Sequence, residues 1–271
     1  FLSVYETAVV DRALVPPGSL KARLLWHLER LGCSLADLVL LDTEADCAFF
    51  RATYGRGRYA RLWVGAEEPP PVANGGLRQN EGLDVLFVGT FIPLHGIEHI
   101  LRAAAILQST APEVRITLIG SGQTYAVMQG LAKELALTNL IWGPTWLDTP
   151  ELAERCTSAD LLLGIFGTSD KAQRVIPLKA FAALAYARPL LTADTPGIRE
   201  ALQHGETAFL CPPGDPAALA EAILAIRDAP ELAAQVAAQG HALYREQFTP
   251  SAIGALAIQL LTPLTERRNR R

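Results

Sequence analysis

Three cations stand close together in one stretch, GTSDKAQRVIPLK, where Lys171, Arg174 and Lys179 are set among small polar residues. Such a group suits a dense anion like diphosphate, which is neutralised by the cations and receives hydrogen bonds from amides at a helix start. Pro177 fits the first turn of a following helix, which places Lys179 early in that helix and Lys171 and Arg174 on the loop above it. Taken alone the stretch reads as a solvated basic loop. Its position directly after DLLLGIF, the most apolar run of the chain, favours the anion reading. Two glycine loops strengthen it: GTFIPLHG, holding Gly89, Thr90, His95 and Gly96, and GSG, holding Gly120 and Gly122, put free backbone amides near helix starts. Tight turns explain the same glycines equally well, and His95 is placed either to donate to a phosphate or to cap a turn. Asp194, Thr195 and Glu200 follow PLLTA, where they could meet sugar hydroxyls or form an ordinary turn and helix start. The histidines and the four cysteines have no metal-ligand spacing, so no metal site is assigned. There is no GxGxxG after the first strand of the clear region and no Gly-x-Ser-x-Gly elbow, which disfavours dinucleotide binding and serine hydrolysis.

The elements that must position these residues alternate. After a segment rich in Pro, Gly and polar residues, Glu67 to Gly82, read as a linker, come strands at Asp84–Gly89, Val114–Gly120, Asn139–Gly143, Asp160–Phe166, Pro189–Ala193 and Ala208–Cys211. Single helices separate them: one carrying Ile97, Ile100, Leu101 and Ala104 at i, i+3, i+4 and i+7, then Tyr125–Leu135, Pro150–Cys156, Pro177–Ala187, Gly197–His204 and Pro216–Arg227. Strands joined through helices, without hairpin signals, mean βαβ crossovers and a doubly wound parallel sheet. Ligands of such sheets lie at the carboxyl ends of the strands, where the glycine loops and the basic loop stand. Before the linker, a helix at Ser19–Leu31, a strand at Ala36–Thr43, a helix at Glu44–Tyr54 and a strand at Ala60–Gly65 form too small a unit to bury a core alone.

Composition agrees. Half of the 271 residues are hydrophobic and 19% are charged, which excludes a disordered chain. A formal charge of -4 argues against a nucleic-acid-coating protein. Scattered cysteines suit a reducing compartment, no apolar run reaches bilayer length, and no signal-peptide pattern is present, so a cytoplasmic location is expected.

The stretches LFVGTFIPLHGIEHILRAAAIL, ITLIGSG, ADLLLGIFGTSDKAQRVIPLKAFAALAYARPLLTADTPGIREAL and GETAFLCPPGDPAALAEAI, in that order over Leu83 to Ile226, resemble the donor domain of the retaining GT-B glycosyltransferases of family 4. ADLVLLDTEAD and RLWVGAEE resemble the end of that family's N-terminal domain. The resemblance implies an α/β GT-B fold: residues 1–66 as a truncated acceptor domain, 67–82 as linker, 83–248 as a Rossmann-like donor domain, and 249–271 as a terminal helix crossing back, with a basic tail. It also implies sugar transfer with retention from a nucleoside diphosphate sugar to a glycan or lipid-linked acceptor, with neither metal nor cofactor. Carried over by position, Gly89, Thr90, His95, Gly96, Lys171, Arg174 and Lys179 flank the diphosphate, Gly120, Gly122, Trp142 and Gly143 the nucleoside, and Asp194, Thr195 and Glu200 the sugar.

Two departures stand out. Many members of the family carry two glutamates eight positions apart, the second binding ribose, where this chain has Arg174 and Ala182. Ala182 accepts no hydrogen bond, and a lost partner at a polar site costs about 1–3 kcal/mol. The family's usual N-domain histidine and acceptor wall would precede Phe1, so this stretch alone is expected to be inactive, and the apolar face of a helix over Ala252–Leu261 is expected to be exposed. The alternatives are a non-catalytic nucleotide-sugar-binding module and, with no carboxylate set to support it, a GT-B epimerase. The tail ERRNRR is read as a solvated end, with peripheral contact to anionic lipid at the inner membrane face as the alternative.

Overall fold

A computed structural model describes residues 3–55, 57–70 and 82–269. Most of the linker therefore lies outside the described residues, as do Arg270, Arg271 and the side chains of 265–269, which make up the basic tail.

The N-terminal part runs through a π-helical turn (Glu6–Asp11), α1 (Leu20–Leu35), β1 (Val39–Leu41), α2 (Glu44–Tyr54) and β2 (Tyr59–Arg61). β1 and β2 pair in parallel, with Val39 opposite Tyr59. Each helix starts on a hydroxyl cap: Ser19 Oγ accepts from Ala22 N at 3.2 Å, and Thr43 Oγ1 accepts from Asp46 N at 3.0 Å. Glu29, buried on α1, accepts from the Val4 amide at 2.7 Å, the Ser3 hydroxyl at 2.8 Å and the Tyr54 hydroxyl at 2.7 Å. Those bonds anchor the N-terminal turn, and no motif in the sequence announces them. Another face of α1 is solvated, where Leu20, Leu24, Leu28, Leu31 and Leu35 are exposed.

The remainder is one doubly wound unit: β3 (Leu83–Val88), α3 (Ile97–Thr110), β4 (Val114–Ile119), α4 (Tyr125–Glu134), β5 (Leu140–Trp142), α5 (Thr149–Ser158), β6 (Leu161–Leu163), α6 (Leu178–Ala185), β7 (Leu190–Ala193), α7 (Pro196–Arg199), β8 (Phe209–Cys211), α8 (Pro216–Asp228), α9 (Pro230–Leu243), a second π-helical turn (Tyr244–Phe248) and α10 (Pro250–Asn269). Six parallel strands lie in the order β5-β4-β3-β6-β7-β8, so the winding reverses between β3 and β6. Because strand side chains alternate between faces, Val85, Phe87, Ile116 and Leu118 pack with α3 and α8 on one side, while Leu86 and Leu162 pack with Phe181, Leu184 and Phe248 on the other. Trp63 lies edge-on to Phe248 at 5.7 Å, and Tyr244 Oη donates to Ala66 O at 3.1 Å, which fastens the segment between β2 and the linker onto the end of the second unit.

Several elements differ from the sequence reading. α9 is not anticipated, because its buried positions Ala233, Val236, Ala237 and Gly240 are small and give a weak apolar stripe. α7 has one turn only, and the strand read as Asp160–Phe166 ends at Leu163, freeing the following residues for the basic loop. α10 runs well past Leu261, with Pro263 inside it and with Ile258 and Leu261 exposed. Among the described residues, no helix is long and apolar enough to cross a membrane.

Candidate functional site

The reversal between β3 and β6 leaves a crevice beyond their carboxyl ends, and the N-terminal part closes over it to form a cavity of about 610 Å³. Leu86, Val88, Gly89 and Thr90 reach it from β3 and its loop, Leu162 and Leu163 from β6, and Lys171, Lys179 and Ala182 from the basic loop and α6. Glu6, Asp11 and Asp42 face it from the N-terminal part.

Lys179 is the cation at the heart of this cavity. Its Nζ lies 3.9 Å from the Phe87 ring centroid and 3.4 Å from His95 Nδ1, and among the described residues no carboxylate pairs with it. Burial depresses its pKa well below the ordinary lysine value. Gly89 makes the arrangement possible, because a β-carbon there would run into Lys179 Nζ. His95 is buried, and its Nδ1 meets the Thr90 carbonyl, which requires the proton on Nδ1 in the neutral ring. Burial first, then the neighbouring Lys179, lowers its pKa to about 3, so the ring is neutral and Nε2 is an acceptor until protonated. An arriving anion would favour the protonated form of both groups. Gly96, at φ +62°, brings its backbone against Phe166 and Gly167 and ties the first glycine loop to the basic one.

Lys171 also faces the cavity, buried, with Nζ donating to Thr7 Oγ1 at 2.8 Å. Arg174 does not join it. Its guanidinium is held by Glu6 and by Asp46, the latter at 3.0 Å, stacks 3.8 Å from the Phe49 ring centroid and donates to Asp170 O at 2.9 Å. Thr43 Oγ1 donates to Arg174 O at 2.6 Å, so cap and loop share one hydroxyl. The charge expected to face a diphosphate is, in this structure, already occupied by two buried carboxylates. Burial holds Glu6 above its ordinary carboxylate value despite the guanidinium beside it. Asp42 is pushed up to about 7 by burial and then by neighbouring Asp46.

The residues expected to meet the sugar have protein partners as well. Glu200 accepts from the Glu44 and Ala45 amides at 2.7 and 2.8 Å and so caps α2 from across the crevice. Asp194 forms a two-pronged pair with Arg199, and Thr195 Oγ1 accepts from Ile198 N at 3.2 Å to start α7. None of these three lines the cavity. The residues read as nucleoside walls also stand outside its lining: Gly120 lies against Gly89, Gly122 against Phe91, Gly143 against Ile119, and Trp142 packs on Tyr125 and Phe91. The sequence reading overlooked Glu6, Asp42 and Asp46. Asp42 directly follows a strand, and that position was the available signal.

Among the described residues no cluster of three potential metal ligands occurs. Comparison with known proteins gives the family. Residues 74–242 match the family described as "Glycosyl transferases group 1". The chain is 29% identical over 195 residues to D-inositol 3-phosphate glycosyltransferase of Thermobispora bispora, covering 69% of this chain and 44% of that one. It is 23% identical to alpha-D-kanosaminyltransferase of Streptomyces kanamyceticus over 94% of this chain and 66% of the relative. Among solved structures, sucrose-phosphate synthase of Thermosynechococcus elongatus superposes with a TM-score of 0.80 at 23% identity, over 98% of this chain and 67% of that one. Anabaena HepE in complex with UDP-glucose gives 0.75 at 19% identity, over 89% and 68%. These structures share the GT-B architecture, and the chain spans less than half the length of the inositol-phosphate relative. On the match over most of its length, this chain belongs to the group 1 glycosyltransferases.

Proposed function

We propose that the protein transfers a sugar, with retention of configuration, from a nucleoside diphosphate sugar to a glycan or lipid-linked acceptor, and needs no metal. The observation that carries this reading is Lys179, early in α6, whose Nζ lies against Gly89 at the carboxyl end of β3 and which pairs with no carboxylate among the described residues, with Lys171 facing the same cavity. HepE bound to UDP-glucose and TarM bound to UDP give the reading its donor class by likeness of fold. In the reaction the bond between the anomeric carbon and the phosphate oxygen breaks. The acceptor oxygen bonds to that carbon on the face the phosphate leaves, and the acceptor proton passes to the departing phosphate oxygen. Lys179, and His95 once protonated at Nε2, would stabilise the charge that develops on the diphosphate, in a cavity where a cation acts more strongly than in water. Glycerol-linked or sugar hydroxyls would find acceptors in Asp11 and Asp42, which line the N-terminal side.

Calorimetry with UDP, GDP and ADP, each beside its parent nucleoside, tests the reading. Lys179→Ala is expected to weaken the diphosphates by roughly 10- to 150-fold, the worth of about 1.5–3 kcal/mol for a hydrogen bond to a charged group, and to leave nucleosides nearly unaffected. Equal losses would take Lys179 off the phosphates. Binding of a diphosphate sugar with neither transfer nor hydrolysis would favour a binding module, the reading motivated by Ala182.

A further inference from the structure

A further cation reaches the cavity from outside the basic loop. The first π-helical turn closes with the Arg12 amide donating to Thr7 O at 3.0 Å. Ala13, at φ +49°, then turns the chain back, so that the Leu14 and Val15 amides both donate to Ala8 O, at 2.8 and 3.0 Å. A left-handed residue other than glycine is strained, and such strain persists where the surrounding structure fixes it. From the other unit, Gln123 Nε2, in the loop after β4, donates to Arg12 O at 3.0 Å. Arg12 is thus fixed from both units, and it lines the same cavity as Lys179.

Its guanidinium is left without a partner. Among the described residues it makes no hydrogen bond and no ion pair, and its Nε is shielded from solvent with no acceptor. A buried N–H in that state costs free energy until an acceptor arrives. The other cations are engaged or weakened: Glu6 and Asp46 take Arg174, Lys171 offsets the charges of Glu6 and Asp11, and burial depresses Lys179. Arginine stays charged in such surroundings. Burial, then Lys179 and, more weakly, Arg12 lower the His95 pKa, so the two cations act on one imidazole. Asp11 lines the cavity beside Arg12, and its Oδ1 is also shielded without a partner.

We propose that Arg12 is a binding residue for the diphosphate of the donor, meeting from the N-terminal wall the anion that Lys179 meets from α6. The proposal rests on the proposed function, because that reading puts the diphosphate in this cavity. A planar guanidinium offers its N–H groups as a fork that two phosphate oxygens can take at once. Arg12 supplies the permanent charge that the sequence suggested for Arg174, and the anion then joins the two units.

Inorganic pyrophosphate, which carries the anion without base or sugar, tests this by calorimetry on the protein. Arg12→Met is expected to weaken pyrophosphate roughly 10-fold or more, the effect of losing a hydrogen bond to a charged group. The melting temperature of the unliganded variant should be unchanged or higher, since no partner within the protein is lost. Arg12→Lys, which keeps the charge and loses the fork, is expected to recover part of the affinity. Asp11→Asn is expected to tighten pyrophosphate, because it removes negative charge beside the anion. Arg12→Met within twofold of the unaltered protein, where Lys179→Ala binds much more weakly, overturns the inference and leaves the proposed function standing. A lower melting temperature of unliganded Arg12→Met assigns the side chain to holding the turn and overturns the inference too. Pyrophosphate that binds equally to the unaltered protein, Lys179→Ala and Arg12→Met, or to none of them, removes the anion site and this inference with it.

Discussion

One loop of thirteen residues supplies two charged centres that behave oppositely. At Arg174 every charge is answered: Glu6 and Asp46 take the guanidinium, Thr43 bridges the cap and the loop, and Glu200 caps α2 from the facing unit. Five residues further on, Lys179 has, among the described residues, an aromatic face and a neutral imidazole beside it and no paired carboxylate. A buried charge without a counter-charge costs free energy, whereas a paired one holds its neighbours in register at little net gain. On the proposed function, the difference separates structural from functional charge: the satisfied cation fastens two parts of the molecule, and the unsatisfied one is left to meet an anion.

The largest effect that could break this comparison belongs to Arg174. Arg174→Met leaves Glu6 and Asp46 buried without a partner and is expected to cost about 3–5 kcal/mol of stability, read from denaturant unfolding. Neutralising the acids as well, in Arg174→Met with Glu6→Gln and Asp46→Asn, is expected to restore most of that loss. Diphosphate affinity per folded molecule should stay within about twofold in the triple variant, because a charge already engaged has little left to offer a ligand. A loss there as large as that of Lys179→Ala would place Arg174 on the phosphates after all.

This contrast was only half legible in the sequence. The doubly wound sheet could be read directly, because buried parallel strands are short unbroken apolar runs such as VRITLIG and the helices between them carry clear stripes. The basic loop could be found by composition and position. Composition alone assigns no partners: Arg174 and Lys179 look alike as letters, and their difference comes from Glu6, 168 residues away, and Asp46, 128 residues away. Glu200 and Asp194 are ambiguous for the same reason, since a carboxylate after a strand serves equally to cap a helix, to pair with an arginine one turn on, or to bind a hydroxyl. The small-residue stripe of α9 shows the limit of periodicity itself, which fades where close packing selects alanine and glycine.

A second test sharpens the comparison at its unpaired end. Burial lowers Lys179, and burial together with Lys179 lowers His95 to about 3. A bound diphosphate raises both, because opposite charge favours the protonated forms. The complex is therefore expected to hold more protons than the free protein, and affinity to fall as pH rises from the free towards the bound pKa of each group, by up to about tenfold per pH unit for each proton taken up. Calorimetry in two buffers of different ionisation enthalpy, above pH 7, measures that uptake directly. Lys179→Met is expected to reduce the uptake. It should also raise the melting temperature of the unliganded protein by about 2–4 °C per kcal/mol of relieved desolvation. Binding with no proton uptake, and no stabilisation in Lys179→Met, would mean that the lysine is not strained in the free state.

The smallest expected effect lies back at the paired end, at Glu200. Its two oxygens take the Glu44 and Ala45 amides, the first donors of α2, where a negative charge also meets the positive end of the helix. Glu200→Gln keeps the shape and one acceptor but removes the charge, and is expected to cost about 1 kcal/mol of stability. The side chain does not line the cavity, so the same change should leave donor affinity and the selectivity among donor sugars unaltered. A shift in sugar selectivity without a loss of stability would reverse both halves of that expectation and return Glu200 to the ligand. The two readouts move independently, and that independence separates a carboxylate that caps a helix from one that holds a sugar, although the sequence around them reads the same.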